Sequence, residues 1–488
     1  MEDGHDVKAD LVIAMQTLDV QGFKVVLSNS KIEINMIIDH NDSNIFHDIA
    51  ASSLPDNVEE EFIEILVGFC YKKYDEKAKQ VIQEMMGKMM KPEMLTPLML
   101  AAKGCKFALV KQYVQLGADY KIKNSLKQDI AHIAAASGYL QMLTYIKYEL
   151  EMNMDEMDIK NNTPLHLSIR EGKESIVRVL IAWGCRLDLR DCEGNTVLHL
   201  SAQGQSYKIT RLLLLRGIDR TITNNQNQTA YDISLSLNDK SLCKILKKPS
   251  FFSKLNPFKP PLTPVKNSYK LFIIYVLIFL LRYVCVIVFM LPHFAIELSI
   301  ISLIIFIVNF VLFLLVHQKD PGFVKQKRGQ NIIKIYQTQH YDRICPFCEV
   351  QKDSTTIHCH HCERCVRKYD HHCPWIRNCV GQGNFSTFIA FLTVCCLDFL
   401  YTSVLGVLDY FDMLQEERRF LRYKSYHKEF GLTVTIICIF CFMFAFPVWF
   451  VQMSNIIKKT TTKERFGFRK DNKGNEMTMS DSFLKDSR

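Results

Sequence analysis

No apolar stretch of signal-peptide length opens this 488-residue chain; its first residues, MEDGHDVKADLVIAMQ, are charged. A cleaved secretory leader is therefore not expected, and insertion falls to the first membrane helix, which leaves the N-terminal part in the cytosol. There is also no basic stripe with interleaved aromatics. Lys and Arg outnumber Asp and Glu only 60 to 51. Nucleic acid is not an expected partner, and the net charge of +9 fits basic residues on the cytosolic side of a membrane. Long apolar runs are missing from residues 1–269 and confined to 271–316 and 387–451, so the hydrophobic fraction of 48% averages two different kinds of chain. The length suits two or three domains.

Internal repetition organises the first half. Helix-opening positions recur at Thr96-Pro97-Leu98-Met99, Asp129, Thr163-Pro164-Leu165-His166, Thr196-Val197-Leu198-His199 and Thr229, in steps of 33, 34, 33 and 33 residues. Gly104, Gly138, Gly172 and Gly204 keep a second register where one helix must turn into the next. The period and pattern resemble the ankyrin repeat, in which helix pairs stack into a solenoid. Asn44–Ala51 reads as a degenerate opening, giving about six or seven units between residues 8 and 248. His132, His166 and His199 sit where the repeat uses histidine for structural hydrogen bonds.

A basic, proline-containing linker covers 249–270. Four spans are expected at Leu271–Leu291, Phe294–Val316, Thr387–Leu408 and Leu432–Val451, the first two joined through Pro292-His293. That hairpin turn has no Lys or Arg, whereas 244–270 carries seven, 318–386 carries 11 and 458–470 carries six. The five in 409–430 run against the trend, but the balance places both termini and the 317–386 loop in the cytosol. Cys395, Cys396, Cys438 and Cys441, inside spans, read as packing residues.

Seven of the 17 cysteines crowd between Cys345 and Cys379, with five histidines among them. In a reducing compartment such a cluster points to metal or catalysis instead of disulfides. Two closed tetrahedral zinc sites take eight ligands. Six of these cysteines with two histidines would fill both and leave one cysteine free.

The segment runs Cys345-Pro346-Phe347-Cys348, His358-Cys359-His360-His361-Cys362-Glu363-Arg364-Cys365, Asp370-His371-His372-Cys373-Pro374-Trp375 and Cys379. In every Cys/His spacing it resembles the cysteine-rich domain of the DHHC protein palmitoyltransferases. Asp320-Pro321-Gly322 and Thr461-Thr462-Lys463-Glu464 are similar to two further motifs of that family, and with the repeats the chain resembles its ankyrin-bearing subgroup. That subgroup usually has six spans; four are read here.

The resemblance implies an all-α protein: a solenoid over 1–248, membrane helices over 271–316 and 387–451, an inserted two-zinc loop over 317–386, and a tail over 452–488. It implies one zinc on Cys345, Cys348, His358 and Cys365 and another on Cys359, Cys362, His372 and Cys379. It makes Cys373 the acyl-accepting nucleophile, with His371 as its base and Asp370 orienting the ring. Asp320, Thr461, Thr462 and Glu464 would support the loop. Palmitoyl-CoA or another acyl-CoA is the implied co-substrate, and cysteines of proteins recruited by the repeats are the implied acceptors.

The family's usual Lys-Pro-x-Arg is Lys352-Asp353-Ser354-Thr355 here, and Ile357 replaces a common histidine. Lys352, Arg364, Arg367 and Lys368 are the candidates to hold the CoA phosphates. Arg282 and Asp398 lie at similar depths, roughly 17 and 20 Å into the first and third spans, and are expected to pair at the end of the acyl cavity. The expected setting is a multi-pass protein among Golgi or other endomembrane lipids. The rival readings are an ankyrin-bearing channel, disfavoured by the absence of a re-entrant pore segment, and an inactive membrane scaffold.

Overall fold

The aligned Thr and Asp residues become helix N-caps, because each holds an extended backbone from which a side-chain or main-chain oxygen meets the first free N–H groups. Five helix pairs follow: Pro97–Lys103 with Phe107–Gln115, Ile130–Ser137 with Leu140–Tyr148, Pro164–Arg170 with Glu174–Ala182, Val197–Gln203 with Tyr207–Leu215, and Ala230–Ser236 with Lys240–Leu246. Pro97 and Pro164 occupy first helical positions, where the missing N–H costs nothing. Gly138 and Gly172 take the left-handed conformation that turns one helix into the next; after Gly104 and Gly204 the following residue, Cys105 or Gln205, takes it instead.

The computed structural model describes residues 2–29, 33–248, 269–290, 296–326, 332–338, 343–411, 424–458, 460–462, 469–470 and 476–477. Residues 249–268 of the linker expected over 249–270, the expected turn at Pro292-His293 and Glu464 lie outside the described residues. Contacts group Met1–Pro264 with Asn331–Pro346 as one unit, and Val265–Gln330 with Phe347–Arg488 as another.

In the first unit, histidines stitch the repeats together. His132 bonds Asp129 at 2.8 Å through Nδ1 and approaches the Asn162 carbonyl at 3.2 Å through Nε2. His166 and His199 do the same with Thr163 and Leu189, and with Thr196 and Gln228. His47 repeats the pattern with Asn44 and the Leu95 carbonyl, so the degenerate opening is a true one. Its second helix, Asp56–Tyr74, is 19 residues long, and an additional helix, Ala78–Gly87, precedes the regular array. This insertion breaks the period between Asn44 and Thr96. The short helix Ile332–Thr338 also belongs to this unit: Ile335, Tyr336 and Ile344 are buried with Val179, beside Leu140 and Trp183.

In the second unit, three helices among the described residues are long and apolar enough to cross a membrane: Ile296–Gln318, Phe385–Leu408 and Gly431–Ile457. The apolar helix Phe272–Val288 is shorter, and its chain continues as a π-helical turn over Val286–Met290. Helix Phe385–Tyr410 packs along both Lys424–Ile457 and Ile296–Gln318. Apolar clusters fill the contacts, one of them containing Phe313, Val316, Phe388, Phe391 and Leu392.

Candidate active site

Three two-stranded antiparallel hairpins build the cysteine-rich loop: Ile344–Cys345 with Val350–Gln351, Ile357–Cys359 with Arg364–Val366, and His371–Cys373 with Asn378–Val380. Each turn ends on a left-handed residue, Glu349, Glu363 or Arg377, and this tight reversal points neighbouring side chains into a common space.

Two sets of four ligand atoms gather, with all atoms of a set within 4.8 Å of one another: Cys345, Cys348, His358 and Cys365, and Cys359, Cys362, His372 and Cys379. These are the two sets expected from the resemblance. The separations suit a shared ion. Cys362 Sγ lies 3.4 Å from Cys379 Sγ and 3.4 Å from His372 Nδ1, and Cys348 Sγ lies 3.2 Å from His358 Nδ1. Edges of about 3.3–3.8 Å follow from tetrahedral metal–sulfur and metal–nitrogen bonds. Thiolate-rich sets of this kind fit a structural metal ion.

Cys373 belongs to neither set. It is buried in the apolar cluster with Phe313, Val316, Ile376, Val380, Phe388, Phe391 and Leu392. Beside it, His371 Nδ1 lies 2.7 Å from Asp370 Oδ2. Burial opposes charge on the His371 ring, but the Asp370 hydrogen bond and then Cys373 raise it to about 9. Burial likewise pushes the Asp370 carboxyl up, while His371 and Thr462 more than offset this and hold it below the usual carboxylate range.

Asp370 is 2% exposed and has further donors. Thr462 supplies its backbone N–H and, at 2.9 Å, its hydroxyl. Gln452 Nε2 donates to Asp370 Oδ2 at 3.0 Å and to Thr462 Oγ1 at 2.8 Å, and Asn455 Nδ2 donates to Thr462 Oγ1 at 2.9 Å. Sequence reasoning named Thr461 and Thr462 but missed Gln452 and Asn455. The available signal was an amide at the end of an otherwise apolar helix.

Asp320 caps its own turn through the N–H groups of Gly322 and Phe323. The Pro321 carbonyl accepts from Gly383 N–H, and a Cβ on Gly381 or Gly383 would collide with backbone of that turn. Of the basic candidates, Lys352 is half-buried, while Arg364, Arg367 and Lys368 are exposed; the Arg364 guanidinium lies over the Phe323 ring.

Deeper between the apolar helices, Arg282 Nη2 donates to Asp398 Oδ2 at 2.5 Å. Asn309 Nδ2 donates to the same oxygen at 2.9 Å, and Arg282 also faces Cys438 Sγ at 3.7 Å. Arg282, Asp398 and Asn309 are all buried. Asn309 was not anticipated, although a lone amide in an apolar run is the usual mark of such a partner.

A thiol with a histidine–carboxylate pair, set beside two metal-ligand sets, is an arrangement chemically suited to group transfer. Residues 338–468 match the DHHC palmitoyltransferase family, residues 98–191 match ankyrin repeats in three copies, and residues 193–225 match a further ankyrin repeat. The chain therefore carries a DHHC palmitoyltransferase domain together with ankyrin repeats. Among curated relatives, palmitoyltransferase akr1 of Aspergillus oryzae is 39% identical over 87 residues, 16% of this chain and 12% of the relative. Palmitoyltransferase ZDHHC17 of Homo sapiens is 38% identical over 80 residues, 15% of this chain and 13% of the relative. Palmitoyltransferase ZDHHC3-A of Danio rerio is 36% identical over 101 residues, 20% of this chain and 32% of the relative. The chain thus matches about an eighth of the first two relatives and a third of the last.

Proposed function

We propose that the protein is a membrane S-acyltransferase that moves a long-chain acyl group from acyl-CoA to Cys373 and then to cysteines of other proteins. The observation that supports this most is the position of Cys373: outside both metal-ligand sets, beside His371–Asp370 and inside an apolar cluster. The Cys373 sulfur attacks the thioester carbonyl, its proton passing to His371. The carbon–sulfur bond to CoA breaks, and the CoA thiolate takes the proton from His371. A substrate cysteine then repeats the attack on acyl-Cys373, returning the proton to the Cys373 sulfur.

Zinc would occupy the two ligand sets and hold the loop folded, since the hairpins are too small and polar to fold on a core of their own. Lys352, Arg364, Arg367 and Lys368 would face the CoA phosphates. The Phe272–Val288 helix would act as a fourth span beside the three longer ones, with both termini cytosolic and the repeats presenting substrate proteins. Arg282 and Asp398 would close the acyl cavity. An endomembrane such as the Golgi is the proposed location.

Hydroxylamine-sensitive labelling by a fatty-acid analogue tests the reading. Labelling should occur in the natural chain and vanish in Cys373→Ser, with both metal ions retained. Labelling that survives the substitution would remove Cys373 from the mechanism.

A further inference from the structure

The three hairpins are alike in more than strand pairing. Cys345, Cys359 and Cys373 are spaced 14 residues apart, and each opens a four-residue turn closed by the left-handed Glu349, Glu363 or Arg377. The second and third share one register: His358 pairs with Cys365 as His372 pairs with Cys379, and Cys359 pairs with Arg364 as Cys373 pairs with Asn378. Each metal-ligand set takes two cysteines from the turn of one hairpin and a His/Cys pair from the next. In this alignment Cys373 stands where Cys345 and Cys359 are ligands. The second turn cysteine, Cys348 or Cys362, is replaced by Ile376.

The turn of the third hairpin is fastened by other means. Ile376 is 1% exposed, within the apolar cluster that also holds Cys373, Phe313 and Val316. His317 Nδ1 lies 2.8 Å from the Ile376 carbonyl. Asn378 Nδ2 reaches the carbonyls of Val316, His317 and Lys319 at 3.1, 3.1 and 2.9 Å, while its Oδ1 accepts from Cys379 N–H. Val316 and His317 lie in the last turn of the helix Ile296–Gln318 and Lys319 just beyond it, where carbonyls have no helical N–H to accept from.

We propose that the third hairpin, whose strands give His372 and Cys379 to the second ligand set, repeats the 14-residue module with a turn that holds no metal of its own, and that Ile376, with His317 and Asn378 anchoring that turn, helps to keep Cys373 a free thiol. Packing and hydrogen bonds to a membrane helix take over the metal's task of holding the turn. An aliphatic residue at 376 withholds the second thiolate a zinc ion needs, so the thiol is left for acyl transfer. The role in transfer rests on the acyltransferase reading; the metal exclusion does not.

Ile376→Cys in the full chain tests this. Cys373 and the new thiol then stand as the two turn cysteines do in the other hairpins, and the adjacent His371, from outside that pattern, offers a third ligand. The variant should bind zinc beyond two ions per chain, and Cys373 should resist alkylation. A chelator dose that leaves two ions should restore alkylation. Acyl loading at added zinc should slow by about tenfold or more, since a metal-bound thiolate is a poor nucleophile, and recover with chelator. Two ions and parental alkylation of Cys373 would overturn the proposal. Metal content and alkylation need no acyl donor, so a natural chain that loads no acyl group would defeat the proposed function while this arm still decides the metal question. Should the variant fail to fold, Asn378→Asp examines the anchor. Slower acyl loading with two ions and unchanged alkylation supports it, and unchanged loading overturns it.

Discussion

Gln452, near the end of the apolar helix Lys424–Ile457, donates a hydrogen bond of 3.0 Å to Asp370 in the cysteine-rich loop. With Thr462 it encloses the carboxylate that orients His371. The His371–Asp370 pair is thereby braced by residues more than 80 positions away in sequence.

Gln452→Leu should remove one buried donor from Asp370 and slow acyl loading of Cys373 by about tenfold, the kinetic equivalent of one hydrogen bond to a charged group. Gln452→Glu should be worse, since it sets a second carboxylate against the first. Single-turnover loading rates measure both, and equal rates in all three proteins would show that the brace is idle.

His371→Ala should slow acylation but leave the metal content at two ions, whereas His372→Ala should lose one ion and unfold its hairpin. Metal analysis of the purified variants separates these outcomes. Equal metal loss from both would break the division of roles between adjacent histidines.

Arg282→Ala or Asp398→Ala alone leaves a buried charge without its partner, at a cost of about 3–5 kcal/mol. The double replacement should therefore be the more stable protein. It should also shift acyl-CoA preference toward longer chains if the pair closes the cavity. A well-folded double variant with an unchanged chain-length profile would dismiss that role.

His47 is pushed down to about 4, chiefly by burial. The unfolded chain, at about 6.5, binds the proton first, so this contribution is intact above pH 6.5 and lost as pH falls toward 4. Its limit is about 3 kcal/mol. His47→Gln should flatten the thermal stability of the repeat unit between those pH values. Parallel melts with the same pH slope in both proteins would contradict this.

The sequence by itself determined the repeats, which are written in local spacing, and it showed enough cysteines and histidines for two metal sites, whose ligand sets the family resemblance then implied. A helix pair repeats every 33 residues, and a metal ligand's place in a hairpin is set by neighbours a few residues away. It also marked Arg282 and Asp398, since a charge in an apolar run is costly enough to announce a partner. Only the tertiary structure decided what surrounds those marks. The insertion of Ala78–Gly87 interrupts the period, so no repeat register could reveal how it packs. Ile332–Thr338 carries too short an apolar pattern to predict its burial against Val179 and Trp183. Asn309, Gln452, Asn378 and His317 act through hydrogen bonds between segments from about 59 to 89 residues apart, and such pairs leave no periodic trace. Local chemistry repeats along the chain and can be counted; long-range partners are selected by packing, which exists only once the helices have come together.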